Sequence, residues 1–243
     1  MRQNAAPAFR VGEVVTTSFS ILFGNLLPFG ILFAVVMGMF FVPLILFTGL
    51  LTYLDAPDDL VLIITALLFY SWFFAVPAAY ARGVLHALEM GKLRIGICLT
   101  SGLAGFFSAL PVTLVIAPAI GVGYLVFVVP GLILSVTWWV ASTVAVIEGR
   151  SVFAALKRSA ELTKGNGWRV FGVLVIWYLI NSVCVVVAST IAALTGIVGE
   201  IVSLFLALPF MISFGSIFTA VIYYRLRHEK EGPAVEPIAS VFN

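Results

Sequence analysis

Two stretches of this chain carry no acidic or basic side chain over lengths that an ordinary soluble domain does not reach. The first runs from Val14 to Leu54 and the second from Ile95 to Ile147. An apolar helix crosses the hydrocarbon core of a bilayer in about 20 residues, so the second run, roughly fifty residues long, is too long for one crossing and about right for two. The whole composition agrees. The chain is 62% hydrophobic and 10% charged, with mean hydropathy +1.17, against about 25% charged in soluble domains. The expected fold class is all-α, a polytopic membrane helix bundle.

In chain order, residues 1–25 form an N-terminal arm and an amphipathic helix. Within it Val15, Phe19, Leu22 and Phe23 share one face, and Glu13, Thr16, Thr17 and Ser20 lie elsewhere, the pattern of a helix lying at the membrane interface. A six-span membrane domain, 26–224, follows. Its spans are expected at about 26–51, 60–81, 98–121, 130–147, 168–194 and 201–224, with the break in the long uncharged run placed near Gly121-Val-Gly-Tyr and Val129-Pro130-Gly131. Asp55 to Asp59 turns the first pair and Thr195 to Glu200 the last. Residues 225–243, polar and containing Pro233 and Pro237, read as a flexible tail. No removable signal peptide is expected, because the first residues lack the short apolar run and cleavage site of one.

The charges orient this scheme. With both termini inside, all thirteen basic residues fall on one side. They are Arg2 and Arg10 in the arm, Arg82, Lys92 and Arg94 in the second loop, five between Arg150 and Arg169, and Arg225, Arg227 and Lys230 in the tail. The opposite loops carry only Asp55, Asp58, Asp59 and Glu200. By the positive-inside rule the termini are cytoplasmic and the number of spans is even. Each odd-numbered span is preceded by an interfacial segment (Val11 to Gly24, Gly83 to Arg94, Ser151 to Lys164), which suggests three units of interfacial helix plus helical hairpin. Basic faces on any membrane-side loop would look similar.

The densest polar island lies between Glu148 and Val170. A cytoplasmic amphipathic helix is expected at 151–164, with Phe153, Leu156 and Ala160 on one face, Ser151 as N-cap and Gly165 as stop. Glu148 ends a span directly after Thr-Val-Ala-Val-Ile. It reads either as a buried acid that binds a cation or relays a proton, or as the partner of Arg150, Arg82 or another loop arginine that docks the helix. The pairing is the favoured reading, since a buried charge is costly unless paired. Trp168, Tyr223 and Tyr224 sit where interfacial aromatic anchors belong. Rows of small residues, Ala104, Ser108 and Ser101, Gly105 in span three and Ala188, Ala192, Gly196 in span five, permit close helix contact within the chain.

No chemistry emerges. The zinc-protease, nucleophile-elbow, phosphate-loop and dinucleotide fingerprints are absent. His86, near Glu89, and His228, beside Glu229, lack the further ligands of a metal site, and the expected spans hold no His, Lys, Asp or Glu at their middles, which weighs against ion-coupled transport. Cys98 and Cys184 read as small buried thiols. A net charge of +2, spread over several loops, excludes a nucleic-acid partner. No cofactor and no catalytic residue are expected.

Taken together, Val129-Pro130-Gly131, Trp138, Glu148-Gly149, Ala155-Leu156-Lys157-Arg158-Ser159, Leu162-Thr163-Lys164-Gly165-Asn166 and Trp168-Arg169-Val170-Phe171 resemble a family of bacterial six-span proteins. These are the membrane domain of glycerophosphoryl diester phosphodiesterases and its stand-alone relatives, including the YciC-like inner-membrane proteins. The likeness is clearest over residues 125–175, and Val11 to Asn25 is similar to the family's start. In fused members hydrolysis belongs to a separate soluble barrel, for which these 243 residues leave no room, so the resemblance implies fold and inner-membrane location but not phosphodiesterase activity.

The expectation is therefore a non-enzymatic membrane scaffold or interaction module, meeting the bilayer, anionic lipid headgroups or a partner protein. Its candidate interaction and structural residues are Glu148, Arg150, Lys157, Arg158, Ser159, Lys164, Trp168 and Arg169. The alternatives are a permease or flippase-like protein for a neutral or lipid substrate, and then an intramembrane enzyme.

Overall fold

The computed structural model describes residues 9–90 and 95–232, without the side chains of 69–79, 97–103, 200–206 and a few further positions. Arg2, Lys92, Arg94, Pro233 and Pro237 lie outside the described residues, as do the side chains of Cys98, Ser101 and Glu200. Among the described residues the chain is helical with no strand: α1 (Val11–Gly24), α2 (Leu26–Tyr53), α3 (Asp58–Met90), α4 (Ile95–Val126), α5 (Val128–Thr137), α6 (Ala141–Glu148), α7 (Val152–Thr163), α8 (Gly167–Thr195) and α9 (Ile197–Glu231). Among the described residues, three stretches are long and apolar enough to cross a membrane: Phe107–Val126, Val128–Glu148 and Gly167–Thr195. A fourth arises if α1 and Leu26–Val35, bent by 79° to each other, count as one broken span.

The centre of the bundle is α9. From Ile212 to Tyr223 every residue is buried, so this segment is enclosed on all faces, as an all-round apolar helix must be. Two of its hydroxyls are satisfied within the helix: Ser216 Oγ donates to the Ile212 carbonyl at 2.7 Å and Thr219 Oγ1 to that of Gly215 at 2.9 Å. By contrast α8 exposes Leu179, Val183, Val186, Val187 and Leu194.

The bend between α1 and α2 is made at Asn25, whose side-chain amide donates to the Ile21 carbonyl at 2.9 Å. The buried stripe of α1 is Val14, Ser18, Ile21 and Leu22, one residue ahead of the expected face. Phe23 is exposed, and Phe19 packs on Phe214 in a tilted pair with ring centroids 4.8 Å apart. The stripe shifts because α1 is held between other helices and not on a flat interface; Glu13 reaches Arg225 on α9 at 3.1 Å.

Other boundaries also differ from expectation. Gly83 to Met90 continues α3 without a break, so the second interfacial segment is no separate helix and the three-unit regularity does not hold in this form. The fourth expected span is interrupted at Trp138–Val140, between α5 and α6. The supposed tail stays helical to Glu231. Of the small-residue rows, Gly105 is buried, Ala104 and Ser108 are exposed, Ala188 and Ala192 are half-buried, and Gly196 lies in the exposed turn before α9.

Candidate functional site

Glu148 ends α6, and the chain turns at once through Gly149, whose φ of 62° is left-handed and suits a residue without Cβ. This turn brings Arg150 back onto the carboxylate: its Nε donates to Oε2 at 2.6 Å. Arg158, on α7, donates through Nε to Oε1 at 3.3 Å, and the Tyr223 hydroxyl of α9 donates to the same oxygen at 3.0 Å. The Glu148 side chain is 12% exposed. A carboxylate this buried is tolerated because it accepts three hydrogen bonds, two of them from guanidinium groups. Arg82 takes a different partner among those expected, the Val146 carbonyl at 2.7 Å.

The network continues along α9. Arg158 Nη2 also donates to Glu231 Oε1, Arg227 Nε to Glu231 Oε2 at 2.8 Å, and Arg227 Nη1 to the Tyr223 hydroxyl at 3.4 Å. Partial burial works to raise the Glu231 pKa, but the hydrogen bonds from Arg227 and Arg158, with their charges, outweigh it and hold the carboxyl below its ordinary value. Burial likewise works to lower the Arg158 pKa, and the hydrogen bonds and charges of Glu231 and Glu148 outweigh it and raise it. Tyr223 is fully buried, a network member where an interfacial anchor was expected. Tyr224 is half-buried and packs on His228 with ring centroids 4.3 Å apart.

On α7 the buried residues are Ala155, Leu156, Ser159, Leu162 and Thr163. Phe153, expected on that face, is 78% exposed. The face turns because Ser159 belongs on it: its Oγ donates to the Thr137 carbonyl at 2.7 Å, while Thr163 Oγ1 donates within the helix to the Ser159 carbonyl at 2.9 Å. The Thr137 carbonyl lies where α5 ends, and a carbonyl freed by a helix break needs an outside donor. Ser151 occupies the N-cap position, though its side chain makes no cap hydrogen bond.

A second cluster lies beside the first. Asn166, 5% exposed, donates through Nδ2 to Glu229 at 2.7 Å and accepts from Arg169 Nη1 at 3.1 Å. Arg169 stands 3.9 Å from Glu229, and Lys230 Nζ donates to the Lys164 carbonyl at 2.8 Å. Together Lys164, Asn166, Trp168, Arg169, Glu229 and Lys230 line an open groove of about 430 Å³. Trp168 is 85% exposed. Lys157 and Lys164 are exposed as well, and among the described residues no carboxylate pairs with either.

All eight sequence-predicted residues thus gather at one end of the bundle, in two roles. Glu148, Arg150, Arg158 and Ser159 are internally bonded, Arg169 is half-engaged, and Lys157, Lys164 and Trp168 face outward. The partners on α9 were not foreseen. Tyr223, Arg227 and Glu231 recur every fourth residue, which places them on one helical face, and that spacing was the available signal. Among the described residues no three His, Cys, Asp or Glu side chains form a group that would hold a metal. No family model, curated protein or solved structure matches the chain.

Proposed function

We propose that this chain is a six-span, non-enzymatic module of a bacterial inner membrane, with both termini cytoplasmic, whose charged end docks on anionic lipid headgroups. The observation that carries the docking reading is the division of labour at that end. The arginines are engaged in ion pairs, while Lys157, Lys164 and the large apolar Phe153 and Trp168 remain on the outside. Exposed lysines together with exposed aromatic side chains at one end of the bundle suit a headgroup region, where rings lie at the interface and cations meet phosphate. The groove beside Trp168 adds Arg169 and Lys230 to the same surface. The one-sided charge distribution supports the topology, and the residues resembling the glycerophosphoryl diester phosphodiesterase membrane domain support membership of that class of six-span proteins.

The test is lipid retention. Protein in nanodiscs of mixed phosphatidylglycerol and phosphatidylcholine is expected to keep the anionic lipid preferentially in native mass spectra. The double variant Lys157→Gln/Lys164→Gln should reduce that preference by about fivefold per lysine, from roughly 1 kcal/mol per basic residue near an anionic surface. Unchanged preference removes the headgroup reading, and a stoichiometric co-purifying protein replaces it with a partner. The second reading, a permease or flippase-like protein for a neutral or lipid substrate, is favoured by a different feature, a cavity among α4, α6, α8 and α9.

A further inference from the structure

The turn joining α4 to α5 is unlike the other turns far from the charged end. The α2–α3 turn carries Asp55, Asp58 and Asp59, and Glu200 follows the α8–α9 turn. From Leu125 to Leu134 there is no polar side chain at all. Leu125, Val126, Phe127, Val128 and Val129 are nevertheless between 64% and 87% exposed. Five consecutive large apolar side chains in water form a costly surface, whereas the same side chains among acyl chains are at home.

The turn is also built to do without water. Phe127 is the one residue between the two helices; its N–H donates to the Gly123 carbonyl at 3.1 Å and its carbonyl accepts from the Gly131 N–H at 3.4 Å. Of the donors that a helix start leaves open, Pro130 has none and that of Gly131 is taken. The nearest polar side chains bond each other: the Tyr124 hydroxyl lies 3.2 Å from that of Ser135, which donates to the Gly131 carbonyl at 2.8 Å. A Cβ on Gly131 would stand 2.5 Å from the Tyr124 ring, and one on Gly123 would stand 3.0 Å from the Gly131 Cα, so glycines let the two arms meet closely at the tip.

Lengths place this tip short of the outer surface. Drawn straight, Val128 to Glu148 measures about 30 Å at roughly 1.5 Å per residue. Tyr223, which bonds Glu148, is about 39 Å from Ile197 at the start of α9. Arg82, which bonds the Val146 carbonyl, is about 36 Å from Asp58 at the start of α3. The turn therefore stops roughly 6–9 Å before the other two. Helix α4 is longer, but it meets α5 at Phe127, so the shorter arm sets the depth. Tyr124 and Ser135 line one cavity with Tyr178, Met211 and Ile212, residues near the middles of α8 and α9. Past Asn181 no residue of α8 is buried, as expected where a neighbouring hairpin has ended.

We infer that α4, α5 and α6 form a re-entrant hairpin that enters and leaves on the cytoplasmic side, its tip from Leu125 to Val129 held among the acyl chains of the outer leaflet. The inference rests on the cytoplasmic placement of the termini and basic loops. It keeps six membrane segments, but the third and fourth return without a loop in water on the far side; the one-sided charges fit such a return as well as a double crossing.

The experiment places single cysteines in a Cys98→Ala/Cys184→Ala background and treats sealed membrane vesicles of each orientation with a membrane-impermeant maleimide. Asp59→Cys is expected to react from the outer face alone, Lys157→Cys from the cytoplasmic face alone, and Phe127→Cys from neither until detergent unfolds the chain. A bimane attached at position 127 and reconstituted should be quenched more strongly by a nitroxide at mid-chain than by one on the headgroup. Reaction at position 127 from the outer face as complete as at position 59, stronger headgroup quenching, or no quenching by lipid (a tip covered by protein) overturns the proposal. Leu125→Cys repeats both measurements if Phe127→Cys does not fold. Exchanged sidedness at positions 59 and 157 would sink the orientation instead, and leaves position 127 to decide the hairpin.

Discussion

The same helices build two polar regions with opposite chemistry. At the charged end, Glu148 and Glu231 each accept hydrogen bonds from at least two donors, and the arginines around them are correspondingly engaged. Around the cavity, the neutral polar atoms of Thr143 on α6, Trp177 on α8 and Trp139 at the α5–α6 break are buried without a hydrogen-bond partner. A saturated network holds helices in register, because every member loses a partner if one moves. An unsaturated cluster adds nothing to that register and costs the desolvation of its members. The contrast separates residues that hold this molecule together from residues that do not.

The largest effect should come from breaking the saturated side at its centre. Glu148→Gln removes the charge shared by Arg150, Arg158 and Tyr223; Arg158 keeps Glu231 and Arg150 is partly solvated, so the cost is about 2–3 kcal/mol, below that of stranding a fully buried charge. The expected outcome is a lower unfolding temperature in detergent and less folded protein in membranes; full levels with altered lipid binding would move Glu148 from structure to function. Next comes Ser159→Ala, which withdraws the donor from the Thr137 carbonyl and should cost about 1–2 kcal/mol, read by the same thermal scan.

A smaller effect is expected from acid. The folded-state pKa of Glu231 lies below its ordinary value of 4.5, so its contribution to stability is complete above that pH and is lost as pH falls through the folded value. Unfolding temperatures measured downward from pH 6 should therefore fall below about pH 4.5, and the fall should be shallower in Glu231→Gln; equal slopes would show that this carboxyl is not held by the arginines. The smallest effect tests the other side. Trp139→Phe removes a buried donor that has no acceptor, so stability without added lipid should not fall and should rise by up to about 1 kcal/mol. A drop as large as that of Ser159→Ala would erase the distinction between the two regions.

Much of this arrangement is legible in the sequence, for reasons that differ along the chain. Helices appear where uncharged runs leave no other way to satisfy the backbone in hydrocarbon, and the docking of Glu148 by loop arginines follows from the cost of a lone buried charge. The break at Trp138–Val140 is not legible, because no glycine or proline marks it. Its freed carbonyl is satisfied from α7, more than twenty residues later, by a serine that looked like part of a basic interfacial face. The helical continuation from Arg225 to Glu231 was masked by its polarity, although Leu, Arg, Lys and Glu are good helix formers and Tyr223, Arg227 and Glu231 repeat at a helical interval. The cavity was invisible altogether, since Thr143, Trp139 and Trp177 acquire a common address only when α6, α8 and the break are packed together.

The attachment of α1 to α9 bears on how the molecule is made. Helix α1 packs mainly on α9, where Phe19 meets Phe214 and Glu13 pairs with Arg225. That last helix is synthesised roughly 200 residues later, ~10–40 s at about 5–20 residues per second. During that interval α1 lacks the helix on which it mainly packs. The 79° bend at Asn25 can then take its final packing only after α9 has been made.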